Sequence, residues 1–154
     1  MPKIEPTTKQ VLIPGVDYIG VTTAMFCHDG QGNFLLNQRS QHCRNEWGKW
    51  DAWGGRIEWG ETFVQAARRE LAEECGAKII SMNLAGVNQA LRVNEQGVKT
   101  HWVVVVFLVQ IKRGTKSNLE PDKFSQLAWF PAHQWPKNIH SMLESDFAIA
   151  QKLL

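Results

Sequence analysis

The sequence predicts an α/β fold in which a mixed β-sheet lies between helices. Segments rich in β-branched and aromatic residues precede, separate and follow two helical segments. Each helical segment is amphipathic and therefore needs a sheet face to cover its apolar side. At 154 residues the chain has the length of one domain with a single core, and we expect residues 1–154 to form that domain.

The first part of the chain predicts a β-hairpin followed by a loop. Residues 18–27 (YIGVTTAMFC) have strand character and end at the turn 28–32 (HDGQG). Residues 34–38 (FLLNQ) are the returning strand. A polar loop over residues 39–49 then leads to a short tryptophan-rich strand and a pair of glycines.

The first helix has clear start and stop signals. Thr62 and Gln65 have the spacing of a capping box, and Gly76 stands where a glycine commonly ends a helix. Between these positions apolar side chains recur at intervals of three and four residues. These are Val64, Ala67, Leu71 and Cys75. The recurrence predicts one apolar face directed at the sheet.

The second part of the chain predicts three more strands and a second helix. Residues 79–91 and 102–111 are strands on either side of a turn. Residues 127–130 form a short strand after a polar loop, and residues 139–154 have the pattern of an amphipathic helix.

Composition excludes several classes of protein. A net charge of +2 and the absence of a Lys/Arg run argue against a nucleic-acid polymer as partner. The apolar run at 102–109 is too short to cross a bilayer, and residues 1–10 lack the apolar core of a signal peptide. Cys27, Cys43 and Cys75 have neither disulfide nor zinc spacing. We therefore expect a cytoplasmic protein with reduced thiols and no membrane partner.

Three acids stand together on the first helix. Glu70, Glu73 and Glu74 fall within one sector of roughly 100°, beside the apolar face. Such a cluster is most often a solvated surface, because the repulsion costs only a few tenths of a kcal/mol per pair in water. Arg69 can neutralise these acids, and the glycine pair upstream exposes carbonyls that could face a cation. Oxygen ligands alone favour Mg²⁺ or Mn²⁺ over zinc.

Residues 55–77 resemble the Nudix box, G-x5-E-x7-R-E-U-x-E-E-x-G-U. The matching positions are Gly55, Glu61, Arg69, Glu70, Leu71, Glu73, Glu74 and Gly76. Ala77 replaces the usual bulky aliphatic residue, and Ala52-Trp53 replaces the Leu-Pro that many members have before the glycine pair. Seven specified residues at fixed spacing arise by chance in on the order of one window in 10⁸–10⁹. The order of predicted elements is also similar to that of a whole Nudix domain.

The resemblance implies an α/β/α Nudix sandwich that hydrolyses diphosphate bonds in compounds built on a nucleoside diphosphate. In such an enzyme the carboxylates of Glu70, Glu73 and Glu74, with the Gly55 carbonyl, hold Mg²⁺ or Mn²⁺. A supporting ion pair joins Glu61 to Arg69. The ions neutralise charge on the phosphoryl oxygens and help to deprotonate the attacking water.

Glutamates also supply the general base that the resemblance implies. The candidate catalytic residues are Glu73, Glu70 and Glu120, with Glu73 as first choice for the base and Glu120 as second. Residues 118–136 (NLEPDKFSQLAWFPAHQWP) are similar to a segment of Nudix enzymes that act on nucleoside triphosphates. In those enzymes the Glu of Glu-Pro lies on a loop that swings toward the metals, which makes Glu120 a further metal ligand. A simple polar turn is the alternative interpretation.

Three residues are candidates for substrate binding. Arg39 follows the second strand, where relatives place an arginine that contacts phosphate, and a guanidinium suits that role. An exposed surface charge is the alternative for Arg39. Trp50 is one of several tryptophans that could stack on a base, although core packing explains any single tryptophan as well. Gly54 lies beside the predicted metal site.

Three functions remain open from the sequence. The first is a Mg²⁺-dependent pyrophosphohydrolase that converts a nucleoside triphosphate, including one with a damaged base, to monophosphate and pyrophosphate. The second is the same chemistry on a nucleotide sugar such as ADP-ribose or a GDP-sugar. The third is an inactive Nudix-like module that binds nucleotide or protein, which three mutually repelling acids disfavour. A homodimer is also possible, since dimers are frequent among relatives.

Overall fold

The computed structural model describes residues 10–115 and 117–154. Residues 1–9 lie outside this part. The expectation that residues 1–10 are not a signal peptide therefore concerns mostly residues that the structure does not describe. Within the described part there are six strands and two α-helices. In chain order these are β1 (Gly20–His28), β2 (Asn33–Arg39), β3 (Trp50–Asp51), α1 (Phe63–Glu74), β4 (Ile79–Val93), β5 (Lys99–Ile111), β6 (Phe124–Pro131) and α2 (Leu143–Ala150). A short 3-10 helix, Gln151–Leu153, follows α2.

All six strands join one mixed sheet, in the order β3-β2-β1-β5-β4 with β6 on β2. β1 and β5 are parallel, whereas β4 is antiparallel to β5 and β6 is antiparallel to β2. Successive side chains of β1 point to opposite faces: Ala24 and Phe26 pack in the cluster that contains α2, and Met25 and Cys27 in the cluster that contains α1. The predicted α/β/α sandwich is confirmed.

The sheet is split where residues 50–57 enter it. Asn37 and Gln38 of β2 pair with β3 on one edge and with β6 on the other. Nearer the start of β2, the first of these edges pairs with β1 instead. Residues 53–57 then pass to β1, where the backbones of Met25 and Trp53 exchange hydrogen bonds of 2.6 and 3.1 Å. This segment holds β1 and β2 apart and opens a cleft between them.

Helix α1 begins as predicted but buries a different face. Thr62 and Gln65 form both bonds of the capping box, and Gly76 has φ +63° just after the helix. The prediction that Val64 lies on the buried face is wrong, because its side chain is 45% exposed. The buried residues of α1 are Ala66, Ala67, Glu70, Leu71 and Glu74. The helix is therefore rotated so that two of its acids face the protein.

Helix α2 is shorter than the predicted 139–154. Trp50 of β3 donates its backbone N–H to Asn138 and accepts one from His140, each at 2.8 Å. Residues 138–140 are therefore held as an extended bridge against β3 and cannot join the helix, which begins at Leu143. No helix in the described part of the chain is long and apolar enough to span a membrane.

Candidate active site

The glycine pair brings the chain close to α1 and to β1. The Gly55 carbonyl accepts hydrogen bonds from the Thr23 backbone N–H at 2.9 Å and from the hydroxyls of Thr22 and Thr23 at 2.9 and 3.2 Å. A Cβ at Gly55 would collide with the Glu70 carboxyl, and a Cβ at Gly54 would collide with the Thr23 carbonyl. Both positions therefore need glycine because of close approach.

Two of the three acids on α1 are withdrawn from water. Glu74 is completely buried and Glu70 is 8% exposed, whereas the Glu73 side chain is 52% exposed. Burial raises the pKa of Glu74 to about 7 and also raises the pKa of Glu70. One Glu74 oxygen, Oε2, has no hydrogen-bond partner among the described residues. A buried carboxylate oxygen without a donor is the atom that a bound cation would satisfy.

Arg69 joins the acids of the box into one network. Its guanidinium donates to Glu61 at 2.5 and 2.9 Å, to Glu70 at 2.8 Å and to Glu73 at 3.4 Å. The hydrogen bonds that Glu61 accepts from Arg69 and from the Glu58 backbone N–H lower the pKa of Glu61 to about 2. The predicted ion pair between Glu61 and Arg69 is thus present, and the same arginine orients two of the proposed metal ligands.

Lys123 reaches the same site from the loop between β5 and β6. Its ammonium contacts Glu74 Oε1 and lies 3.4 Å from Glu120 Oε2. Glu120 is therefore near Glu74, as the resemblance implied, although an ammonium lies between them. The sequence analysis missed Lys123, since a lysine in a polar loop carries no local signal that it faces a helix 49 residues earlier.

The donor set suits a hard divalent ion, although it is not assembled around one point. No three His, Cys, Asp or Glu side chains of the described residues converge closely enough to hold a metal. Glu73 turns toward Arg69, and Lys123 occupies the space between Glu74 and Glu120. The unpartnered Glu74 oxygen and the carboxylate chemistry nevertheless fit Mg²⁺ or Mn²⁺.

A cavity of about 940 Å³ extends from Glu70 and Glu74 through the cleft between β1 and β2. At one end it is lined by Gly55, Glu70, Glu74 and Lys123. Its far end is lined by Asn37, Asp51, Trp102 and Asp146, on the side of the sheet that α2 covers. The cavity therefore connects the acids of α1 with a second polar cluster.

The polar cluster at the far end contains two carboxyls, that of Asp146, which is buried, and that of Asp51, whose side chain is 18% exposed. Burial raises the pKa of Asp146 to about 6, aided by the charge of Asp51 and opposed by a 2.8 Å hydrogen bond from Asn88. Burial also raises the pKa of Asp51, against the attraction of His140 and Arg39. The buried amide oxygen of Asn37 has no partner among the described residues. The far end thus offers acceptors that a ligand with N–H groups would satisfy.

The three predicted substrate-binding residues differ in their surroundings. Arg39 lines the cavity, but its guanidinium donates to Asn45 at 3.0 and 3.1 Å and to Asp51 at 3.4 Å. Gly54 lines the cavity through its backbone. Trp50 is buried, with its ring 5.0 Å from that of Phe130 in the core. This position does not support the stacking role predicted for Trp50, because its ring is covered by protein.

Replacing Glu61 by Gln tests the network around Arg69. Glu61→Gln removes the charge that binds the guanidinium at two atoms, so we expect a lower Tm in a thermal melt and a smaller loss of activity than for a metal ligand. The matched control is Glu58→Gln, since Glu58 is 68% exposed and 3.9 Å from Arg69. Equal melting temperatures for wild type and Glu61→Gln would contradict a supporting role.

Asp146 makes folding stability depend on pH. Its folded pKa of about 6 exceeds the value near 3.9 of an unfolded chain. The protonated acid therefore stabilises the fold at low pH, and this contribution is lost as pH rises through 6. Between about pH 4 and about pH 7 the unfolding free energy of wild type should fall, relative to Asp146→Asn, by up to about 3 kcal/mol.

Urea unfolding at several pH values measures this difference. The control is Glu144→Gln, which removes an exposed acid of the same helix. A difference between wild type and Asp146→Asn that does not vary with pH would show that Asp146 titrates normally.

The chain matches known proteins over most of its length. Residues 19–151 match the model of the NUDIX domain. The chain is 34% identical to human 8-oxo-dGDP phosphatase NUDT18 over 137 residues, which are 88% of this chain and 38% of the human protein. It therefore spans well under half the length of that curated relative. A zebrafish oxidized purine nucleoside triphosphate hydrolase is 49% identical over 39 residues, 25% of each chain.

Solved structures show the same architecture. The MutT NUDIX hydrolase of Burkholderia pseudomallei superposes with a TM-score of 0.73 at 26% identity, covering 84% of this chain and 96% of the other. The NUDIX domain of Shewanella oneidensis NrtR, solved with ADP ribose, has a TM-score of 0.68 at 19% identity and covers 98% of this chain and 94% of that chain. With the box at residues 55–77 and the fold that surrounds it, the chain belongs to the NUDIX hydrolase family as a MutT-like member.

Proposed function

We propose that this chain hydrolyses a phosphoanhydride bond of a nucleoside diphosphate or triphosphate that carries an oxidised purine, with Mg²⁺ or Mn²⁺ as cofactor. The observation that carries the proposal is the burial of Glu70 and Glu74 at one end of a 940 Å³ cavity. Buried carboxylates of raised pKa are stabilised by cations. The rest of the cavity is large enough for a nucleotide that bridges to those cations.

The carboxylates near Gly55 would hold the ions. We assign this role to Glu70, Glu73, Glu74 and Glu120. Divalent ions, when bound, neutralise phosphoryl charge and lower the pKa of water. The Gly55 carbonyl stays a proposed ligand, although it already accepts three hydrogen bonds from Thr22 and Thr23. To bind a cation it would exchange one threonine hydroxyl for the ion.

Glu73 is the proposed general base. It is the most exposed of the three acids on α1, so water can reach its carboxylate. Its contact with Arg69 at 3.4 Å is long and leaves the side chain able to turn toward the cavity. Glu120, with its side chain 37% exposed and 3.4 Å from the Lys123 ammonium, is the second choice for the base. Glu70 would contribute to catalysis by holding the ion.

The hydrogen-bond acceptors at the far end of the cavity favour binding of a purine with additional N–H groups. Asp51 and Asp146 offer carboxyl oxygens and Asn37 an unpartnered amide oxygen. A purine oxidised at C8 carries an N–H at N7 in place of an acceptor, which increases its complementarity to such a surface. We assign to Arg39, which lines the cavity beside Asp51, a contact with the part of the nucleotide between the base and the glutamates.

The relatives favour a diphosphate substrate. The human relative, which is similar over 88% of this chain, is named as a phosphatase of 8-oxo-dGDP. Hydrolysis of such a diphosphate gives a monophosphate and inorganic phosphate. The triphosphate expected from the sequence is the second candidate, since the zebrafish relative is named for oxidized purine triphosphates but is similar over 39 residues only. The NrtR domain solved with ADP ribose is 19% identical, which shows the fold alone.

Compartment and assembly remain proposals as well. A cytoplasmic location is supported by three buried cysteines without disulfide or zinc spacing. A homodimer stays a prediction, as does the organisation of residues 1–154 as one domain.

A substrate panel with Mg²⁺ tests the proposed activity. We expect 8-oxo-dGDP to give monophosphate and inorganic phosphate faster than dGDP, and 8-oxo-dGTP to give monophosphate and pyrophosphate more slowly. Release of a sugar phosphate from ADP-ribose at a higher kcat/KM would favour the nucleotide-sugar alternative. Binding without turnover of any nucleotide would favour the inactive module.

Glu73→Gln tests the general base. We expect kcat to fall at least about a hundredfold, because a base or a metal ligand is lost, while circular dichroism and the thermal melt stay unchanged. Glu95→Gln is the matched control, since Glu95 is exposed in the turn between β4 and β5. Turnover near that of wild type in Glu73→Gln would remove Glu73 from the mechanism.

A further inference from the structure

The Lys123 ammonium occupies the position of a cation among the acids. It contacts Glu74 Oε1, lies 3.4 Å from Glu120 Oε2, and is the partner of a completely buried carboxylate. Its own side chain is 39% exposed along the cavity wall. An ammonium is a compact positive charge on a flexible stem, so it can leave this position without a change of the backbone.

The backbone of Lys123 is held in place by hydrogen bonds. Its carbonyl accepts hydrogen bonds from the Ser40 N–H at 2.9 Å and from the Cys43 thiol at 3.2 Å. Its N–H donates to the Glu120 carbonyl at 3.0 Å. The loop therefore keeps the stem pointed at α1, while the four methylene groups allow the ammonium to move.

Lys123 neutralises the charge of Glu74 and Glu120 only in part. One positive charge contacts two carboxylates, and Glu74 Oε2 remains without a partner among the described residues. A divalent ion offers twice the charge and several coordination positions. A divalent ion at Glu74 Oε2 would lie close to the ammonium at Oε1, and two cations repel each other strongly where water is scarce, so binding of the ion weakens the contact of the ammonium.

We propose that Lys123 is an internal counter-ion that holds Glu74 and Glu120 in place without metal and competes with the divalent ion for them. Metal binding displaces the ammonium toward the cavity. Lys123 is thus a positioning residue that weakens intrinsic metal affinity. The inference rests on the proposed metal site and adds a residue that neither the Nudix box nor the relatives' names assign.

Metal titration without nucleotide tests this competition. In calorimetric titration with Mn²⁺, Lys123→Met should bind the ion on the order of tenfold more tightly than wild type, because a nearby positive charge is removed. Lys123→Arg keeps the charge and should bind the ion no more tightly than wild type does. The control Lys99→Met removes an exposed lysine at the start of β5 and should change the Kd by less than about twofold, since salt screens exposed charges.

Thermal melts give a second readout that does not depend on activity. Without metal, Lys123→Met should melt below wild type because Glu74 loses its partner, and Mn²⁺ should raise its Tm by more than it raises that of wild type. If Lys123→Met fails to fold, Lys123→Gln is measured instead, since its amide donates to Glu74 without the charge. Unchanged or weaker Mn²⁺ binding by the neutral variants would overturn the competition while leaving the metal site intact. Absence of Mn²⁺ binding by wild type and by both neutral variants would overturn the proposed function itself.

Discussion

The burial of two glutamates on one side of α1 is the constraint on which the rest of the site depends. Glu70 and Glu74 are removed from water, and a buried carboxylate must find positive charge or remain protonated. The glycine at position 55 is required because the Glu70 carboxyl fills the space of its side chain. The helix, the glycine pair and the cationic partners therefore form a single interdependent unit.

Arg69 and Lys123 stabilise these acids in different ways. The Arg69 guanidinium bonds Glu61 through two nitrogens and extends to Glu70, which is a planar and rigid arrangement. The Lys123 ammonium has no such fork and comes from a separate loop. The first interaction suits a permanent scaffold, and the second suits a contact that a stronger cation can replace.

The split of the sheet explains why a cavity lies beside this helix. Residues 53–57 hydrogen-bond to β1 while β3 pairs with β2, so the two strands cannot close on each other. The resulting cleft reaches from the acids of α1 to Asp51 and Asp146 near α2. Residues 50–57 thus supply the glycine pair at one end of the cavity and the carboxyl of Asp51 at the other.

The sequence alone determined the features that depend on local spacing. The capping box at Thr62, the glycine stop at Gly76 and the positions of the three acids follow from the helical repeat, and the family follows from residues 55–77. Tertiary structure decided the features that depend on distant contacts. Pairing of residues 138–140 with Trp50 delayed the start of α2, and the rotation of α1 exposed Val64.

The same distinction applies to the site residues. Lys123 meets Glu74 across 49 positions of chain, and the far end of the cavity brings Asp51 of β3 together with Asp146 of α2. The periodicity of the sequence does not predict these contacts, because they depend on the order of the strands in the sheet and on the loop that carries Lys123. The chain's own spacing thus determined which side chains share α1, whereas the packing of the sheet decided which charges face them.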